Sequence, residues 1–240
     1  MIHILKCTPV NVYDQLLTGV WYYLRVMVKE IDIPNWDRRE SYELFKEFED
    51  PFFGLQVELD VTLFWAYCKN HGLGIHHSLL YAVVKTANSY APMKLRRRGN
   101  SVVQLDLIHI GCSVLKTGTE AFTFAYYPWK DGLNVAEFDT QSRPFTLESA
   151  AGAVMDPRHQ QDDIIYGTTL PWVSFSGFKH AKKAGAHSIP RIVIGKMYEK
   201  GDSKLLPFQL EVDHALMDGF HASQYLLRLQ ANLDSISQIT

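Results

Sequence analysis

One string in this 240-residue chain has the residue types and spacing of a reaction centre: His214-Ala-Leu-Met-Asp218-Gly219, an H-x-x-x-D-G run. With ten histidines in the chain, composition alone would give only about 0.04 accidental matches to it. A histidine leaving a strand into a tight turn is well placed as a general base. The strand fixes its backbone while the ring reaches a cleft. The carboxylate four residues on would hold the turn or bind an arginine from elsewhere. The string also fits a structural histidine beside an Asp-Gly turn. Other candidates are weaker. His76 and His77 are adjacent, without the i, i+4 spacing of a metal pair, and read as core-edge or capping residues. Gly167 is isolated, and Lys183-Ala-Gly185-Ala has no phosphate-loop frame, so no metal site and no permanently bound cofactor is expected.

The elements that must position His214 can be read from periodicity. Tyr42, Phe45 and Phe48 recur at helical spacing within 36–48, and Pro51 stops that run. Leu55, Val57 and Leu59 alternate with polar residues as in a half-buried strand. Asp60 is placed to cap a helix that runs through Lys69 and ends by Gly72; a second helix is expected from Ser78 to Ser89. From Lys94 to Tyr127 the period is two, with strands near Val102–Leu105, Ile108–Leu115 and Ala121–Tyr127. A helix is expected over Thr146–Met155. Strands follow over Trp172–Phe178, Arg191–Tyr198 and Leu205–Val212, then a last helix from Phe220 to Leu233. This mixture in one block implies an α+β domain, a mixed β-sheet flanked by helices.

Composition excludes several classes. Apolar residues make up 47% of the chain and charged ones 21%, which suits a globular domain rather than a disordered one. A net charge of −2 leaves no basic stripe for nucleic acid; Arg96-Arg97-Arg98, just before Gly99-Asn100, reads as a solvated hairpin turn. Cys7, Cys68 and Cys112 are widely spaced and odd in number, as expected of reduced thiols in a cytoplasmic protein. Residues 1–26 hold one short apolar run broken by Arg25, which supports neither a signal peptide nor a membrane span. Met27-Val-Lys-Glu reads as an independent start. Residues 1–26 are therefore expected to be an extension of unassigned role, and 27–240 the functional domain.

The segment Glu211-Val-Asp-His-Ala-Leu-Met-Asp-Gly-Phe-His221 resembles the active-site segment of type A chloramphenicol acetyltransferases. Four further segments agree in order and spacing: Trp36-Asp-Arg-Arg-Glu40, Leu59-Asp-Val-Thr62, Pro171-Trp-Val-Ser-Phe175, and Gly195-Lys196 followed by Gly201-Asp202. Thr119-Glu120-Ala-Phe122 resembles another block of that family. The resemblance runs from about Met27 to the carboxyl end. The H-x-x-x-D-G string is shared with other CoA-dependent acyltransferases; the Trp-x-Arg and Pro-Trp-Val-Ser-Phe segments narrow the match.

The resemblance implies a CoA-dependent acyltransferase fold and a homotrimer with sites between subunits. It implies acetyl-CoA as co-substrate, and chloramphenicol or a similar small alcohol as acceptor, with antibiotic resistance as the outcome. By position, His214 matches the base that takes the acceptor's hydroxyl proton. Asp218 and Arg38 match a buried ion pair that shapes the site. Thr168 falls where the family has a serine that donates to the tetrahedral oxyanion; taken alone it also fits a strand-edge threonine. Lys196 matches a lysine near the coenzyme, and equally a solvated strand lysine. Leu44 and Phe45 replace aromatic and phenolic residues of the acceptor pocket. Asp213 stands where a second histidine is usual, and Val193 where a water-orienting threonine is common. These departures leave open an acetyltransferase for a different hydroxylated small molecule, or an inactive binding protein on the same fold.

Overall fold

The computed structural model describes residues 27–152, 161–182 and 188–238. The expected 1–26 extension lies outside the described residues. Ten strands and five α-helices follow one another among the described residues, in two sheets. The smaller sheet has strand order β1 (Val28–Glu30), β4 (Ser101–Leu105), β3 (Leu95–Arg98), all antiparallel. The larger runs β2 (Phe52–Asp60), β10 (Ser203–Asp213), β8 (Arg191–Ile194), β7 (Ile164–Thr169), β5 (His109–Leu115), β6 (Phe122–Tyr127). A short β9 (Tyr198–Lys200) pairs with the start of β10. The β5–β7 and β7–β8 pairs are parallel and the rest antiparallel, so the sheet is mixed.

Strand β10 organises the molecule. It alternates Phe208-Gln209-Leu210-Glu211-Val212-Asp213, so successive side chains fall on opposite faces. Phe208, Leu210 and Val212 join Ile192, Ile194, Ile165 and Ile110 in the main core, capped by α3 (Ile75–Asn88) and α5 (Gly219–Ile236). Helix α3 is buried from Ser78 through Val84. A helix with so wide an apolar face belongs between a sheet and other helices. The opposite phase puts Gln209, Glu211 and Asp213 beside Val193, Arg191, Thr168 and Tyr166 on the other face.

That second face is polar yet largely covered, because the segment 170–182 lies across it. Gln209 accepts from the Phe178 N–H (2.8 Å) and donates to the Phe178 carbonyl, and Gln56 donates to the Phe175 carbonyl at 2.9 Å. These side chains satisfy backbone groups that a strand would give to its neighbours. The expected strand over Trp172–Phe178 is therefore absent. β7, just before it, is a strand that reading missed, as are β1 and β3.

Other boundaries shift for local reasons. The helix over 36–48 is confined to α1 (Arg39–Phe45), after a 3₁₀ turn at Ile33–Asn35. The strand expected over Arg191–Tyr198 ends at Ile194. At Gly195 an added Cβ would lie 2.8 Å from the Phe175 ring and 3.1 Å from Pro207, so the chain turns off the sheet there. The helix expected over Thr146–Met155 is the end of α4 (Val135–Ala151), begun by an Asn134–Glu137 capping box; 153–155 lie outside the described residues. Asp60 does hold the start of α2 (Thr62–Asn70), accepting from the Thr62 N–H and hydroxyl at 2.9 and 2.6 Å.

The Arg96-Arg97-Arg98 reading is corrected outright. The triplet is β3, hairpinned to β4 through Gly99-Asn100, and its side chains alternate. Arg96 is fully buried, donating to the carbonyls of Asp162, Met93, Leu95 and Ile164; burial lowers its pKa to about 10. Arg98 forks onto Asp162 at 2.7 and 2.8 Å. Arg97 reaches the other way, to Asp213 at 2.7 Å. Protein acceptors, not solvent, hold all three.

Candidate active site

His214 follows β10 directly. Its N–H donates to the Pro51 carbonyl (2.8 Å) and its carbonyl accepts from Arg38 Nη2 (3.3 Å), so both its backbone groups are tied. Its ring stacks on Phe45, with centroids 3.8 Å apart and planes at 15°, and leans on Phe53 at 4.7 Å. Nδ1 is buried without a hydrogen-bond partner among the described residues. The ring is held by packing on Phe45 and Phe53, with Nδ1 uncommitted, an arrangement that can keep an imidazole in one orientation.

Asp218 does two jobs at the next turn. Oδ1 caps α5, accepting from the N–H groups of Phe220 (3.0 Å) and His221 (3.3 Å), while Oδ2 takes Arg38 Nη1 at 2.6 Å. Partial burial pushes its carboxyl up. Hydrogen bonds from His221 and Arg38 outweigh this and hold the pKa down to about 2. Arg38 precedes α1 and is nearly buried, so one guanidinium links α1, the His214 carbonyl and the start of α5. The structure thus brings together His214, Asp218, Arg38 and Phe45. Leu44, on the same helix, is 59% exposed in the single chain.

Asp213, where the resemblance would have a second histidine, is wholly buried and paired with Arg97. Its Oδ1 also accepts the Ala215 N–H at 2.9 Å. Burial raises its carboxyl pKa more than Arg97 lowers it. Val193 is fully buried and has no hydroxyl to orient a water.

Thr168 is not brought to His214. It shares a row with Val193 and Gln209, two strands across from β10 and five residues short of His214 along it. At about 4.8 Å per strand and 3.3 Å per residue, this puts the two roughly 20 Å apart. Thr168 Oγ1 instead lies 3.2 Å from His180 Nε2. On the core side at this end of the sheet is a cavity of about 330 Å³, lined by Trp65, His76, Thr169, Gly195, Lys196 and Met197 among others. Lys196 is exposed at its wall, its N–H donating to the Val173 carbonyl at 2.8 Å. His76 is pushed down to about 4 by burial and by His77, and its Nε2 has no partner. His77 stitches α3 to α4 through Asp139 (3.0 Å) and Thr146 (2.8 Å), a core-edge role.

A family model described as chloramphenicol acetyltransferase matches residues 26–230. The chain belongs to the chloramphenicol acetyltransferase family. It is 26% identical over 211 residues to a chloramphenicol acetyltransferase of Proteus mirabilis, covering 88% of this chain and 96% of that one. It is 29% identical over 208 residues to one of Staphylococcus aureus, covering 83% and 93%. A solved chloramphenicol acetyltransferase superposes with a TM-score of 0.77 at 21% identity, over 86% of this chain and all of that one. A dihydrolipoamide acetyltransferase of Azotobacter vinelandii follows at 0.63 and 15%, over 83% and 86%. These two structures show the CoA-dependent acyltransferase fold, and membership in the family makes the chain an acyltransferase.

Three side chains around this family site escaped the sequence reading: Arg97, His180 and the side chain of Glu211. Arg97 was hidden in a run that looks solvated. His180 sits in a segment read as running on from a strand. Among the described residues, no group of three or more His, Cys, Asp or Glu side chains could hold a metal, and no helix is long and apolar enough to cross a membrane.

Proposed function

We propose that the protein moves the acetyl group of acetyl-CoA onto a hydroxyl of chloramphenicol, in the cytoplasm where acetyl-CoA is at hand, and so confers resistance. The supporting observation is the tied backbone and stacked ring of His214 beside the Arg38–Asp218 pair. In this reading His214 takes the acceptor's hydroxyl proton as the oxygen attacks the thioester carbonyl. The tetrahedral adduct collapses, the CoA sulfur leaves, and it recovers the proton from His214. Positioned proton transfer of this kind contributes about 10²–10⁴-fold. Asp218 and Arg38 shape the turn and move no proton.

The separation of His214 from Thr168 supports a homotrimer in which one subunit's His214 faces a neighbour's Thr168 and coenzyme cavity. Thr168 then donates to the oxyanion, a contact worth about 2.7–4 kcal/mol. Lys196, at the cavity wall, meets a CoA phosphate as a point charge. Leu44 and Phe45 line the acceptor pocket, and the working domain spans 27–240. The test is CoA release, followed with a thiol reagent. Release on adding chloramphenicol, abolished by His214→Ala in a folded protein, is the expected result; turnover retained by that variant removes His214 as the base. A strict monomer with full activity would overturn the intersubunit site.

The contact of Phe45 on the His214 ring favours one second reading. An apolar ring at that spot narrows the acceptor pocket, which suits a different hydroxylated small molecule. CoA release with other alcohols but not with chloramphenicol would select it.

A further inference from the structure

The end of the segment that crosses the polar sheet face returns His180 over β10. There its backbone N–H and ring Nδ1 both meet Glu211 Oε1, at 3.2 and 3.0 Å, and its Nε2 lies 3.2 Å from Thr168 Oγ1. The ring is held edge-on by Phe178, with centroids 4.8 Å apart. Hydroxyl, imidazole and carboxylate stand in line, each within hydrogen-bond reach of the next, in the order by which a carboxylate orients an imidazole and the imidazole acts on a hydroxyl.

The proton positions follow from Glu211. Its Oε1 also accepts from Gln209 Nε2 at 3.0 Å, and Lys182 Nζ stands 3.6 Å from Oε2. Burial pushes this carboxyl up, but the bonds from His180 and the charge of Lys182 leave it below the usual range, so it is ionised and can only accept. Nδ1 of His180 therefore carries a proton in either charge state. In the neutral ring Nε2 is bare, and Thr168 must spend its hydroxyl proton on it. In the protonated ring Nε2–H donates to Oγ1, and the hydroxyl proton is released to point elsewhere.

We propose that His180, oriented by Glu211, is a positioning residue whose own proton decides whether the Thr168 hydroxyl is free to donate to the reacting acyl oxygen. This rests on the role given above to Thr168. The charged groups facing the pair are Glu211 from β10, which favours the protonated ring, and Lys182 from its own segment with Arg191 from β8, which oppose it. Asp50 offsets Lys182 and Lys179 nearby. Thr168, Gln209 and Phe178 complete the surroundings without charge. Donation from Thr168 to the acyl oxygen then needs the Nε2–H of His180 in place, and a rate that falls at alkaline pH is the signature of its loss.

The test is kcat against pH for the full-length protein and two His180 variants. His180→Gln places an amide nitrogen where Nε2 was and donates without titrating; it should keep more of kcat than His180→Leu and lose the alkaline fall. His180→Leu should lower kcat on the order of 10-fold, less than the loss of an oxyanion donor, with KM for acetyl-CoA unchanged. In a Thr168→Ala background His180→Leu should have no further effect. An equal loss in that background, or an alkaline fall that survives in His180→Gln, overturns the proposal. A second arm is independent of turnover: imidazole ¹⁵N NMR of the resting protein, with His180 assigned by loss of its signals in His180→Gln. At alkaline pH the ring should carry its proton on Nδ1, with an Nε2 signal that moves in Thr168→Val; a proton on Nε2 refutes the switch. Failure of the acetyl-transfer reading would be seen separately, as a wild type that releases no CoA with any acceptor.

Discussion

Removing Arg97 while leaving Asp213 in place should give the largest stability loss of any single change near His214, and its size can be worked out. The Asp213 carboxylate is completely buried, with Arg97 Nε at 2.7 Å and the Ala215 N–H as its other partner. In Arg97→Met that charge has no counter-ion, a situation that typically costs about 3–5 kcal/mol. The carboxyl can escape by binding a proton. Relative to an unfolded pKa of about 3.9, folding it neutral at pH 7 costs about 1.36 × 3.1, or roughly 4 kcal/mol. The same escape costs only about 1.5 kcal/mol at pH 5. The expected loss is therefore about 3–4 kcal/mol at pH 7, shrinking to no more than about 1.5 at pH 5. The sign agrees with the native protein, where Asp213 already sits above its usual pKa. A raised carboxyl means that the folded state holds more protons between the two values, so stability falls as pH rises through that window. The variant extends the window upward. Urea unfolding at both pH values measures the difference, and at about 2–4 °C per kcal/mol the melting temperature at pH 7 should drop by about 6–16 °C. Adding Asp213→Asn should recover most of the loss, because an amide oxygen still accepts from Ala215. A loss below about 1 kcal/mol at pH 7, the worth of an exposed pair, refutes the reasoning. So does an equal loss at both pH values.

Three other outcomes follow from the same geometry. Asp218, whose pKa is held down to about 2, contributes stability above its unfolded value of about 3.9 and loses it as pH falls toward 2; the difference between wild type and Asp218→Asn in urea should be flat from pH 5 to 8 and close between pH 4 and 2. Gly195→Ala puts a Cβ 2.8 Å from the Phe175 ring, so it should destabilise by about 1–3 kcal/mol and, by moving the cavity wall beside Lys196, raise KM for acetyl-CoA; unchanged kinetics would detach the cavity from coenzyme binding. Cys68 and Cys112 are buried, with the thiol of Cys112 raised to about 11 by burial, so neither should react with a thiol-specific reagent at pH 8 until the chain unfolds; peptide mapping after labelling reads this directly.

The parts of this fold legible in sequence were those where one chemical pattern governs one environment. Strand β10 and helix α5 were read within three residues at each end, because their apolar residues face one core, and the turn between them carries the H-x-x-x-D-G string. The Arg38–Asp218 pair spans 180 positions and no periodicity joins its members; only the family resemblance anticipated it. Arginines 96–98 misled because three like charges before a Gly-Asn turn normally mean solvent. Here the partners that matter, the carboxylates of Asp162 and Asp213 and the carbonyls of Lys46, Asp162 and Ile164, come from segments far along the chain. Trp172–Phe178 has the composition of a strand, but its Phe175 and Phe178 backbone groups bond to the Gln56 and Gln209 side chains. A rule based on neighbouring residues has no means to see that.

The polar phase of β10 carries the strongest argument from sheet to chemistry. A strand that buries both faces normally shows an apolar run, and one that alternates normally shows its polar phase to water. β10 does neither. Gln209, Glu211 and Asp213 are all buried, the first two bonded to the 170–182 segment, at Phe178 and His180, and the third to Arg97 of β3. Apolar residues at these three positions would avoid the cost of burying polar groups, so stability alone does not account for them. Their positions along the strand do. Asp213 fixes the turn that carries His214 at one end, while Glu211 holds the imidazole against Thr168 nearer the middle. Under the proposed intersubunit arrangement, one strand thus serves both halves of a site that a single chain leaves roughly 20 Å apart. Replacing Glu211 by Gln, which keeps the volume but can turn a donor toward His180, should therefore impair the Thr168 half while leaving the His214 turn and its Arg38–Asp218 pair intact. A loss of kcat with unaltered thermal stability would show this. A drop in stability matching that of Arg97→Met would instead make Glu211 one more structural anchor.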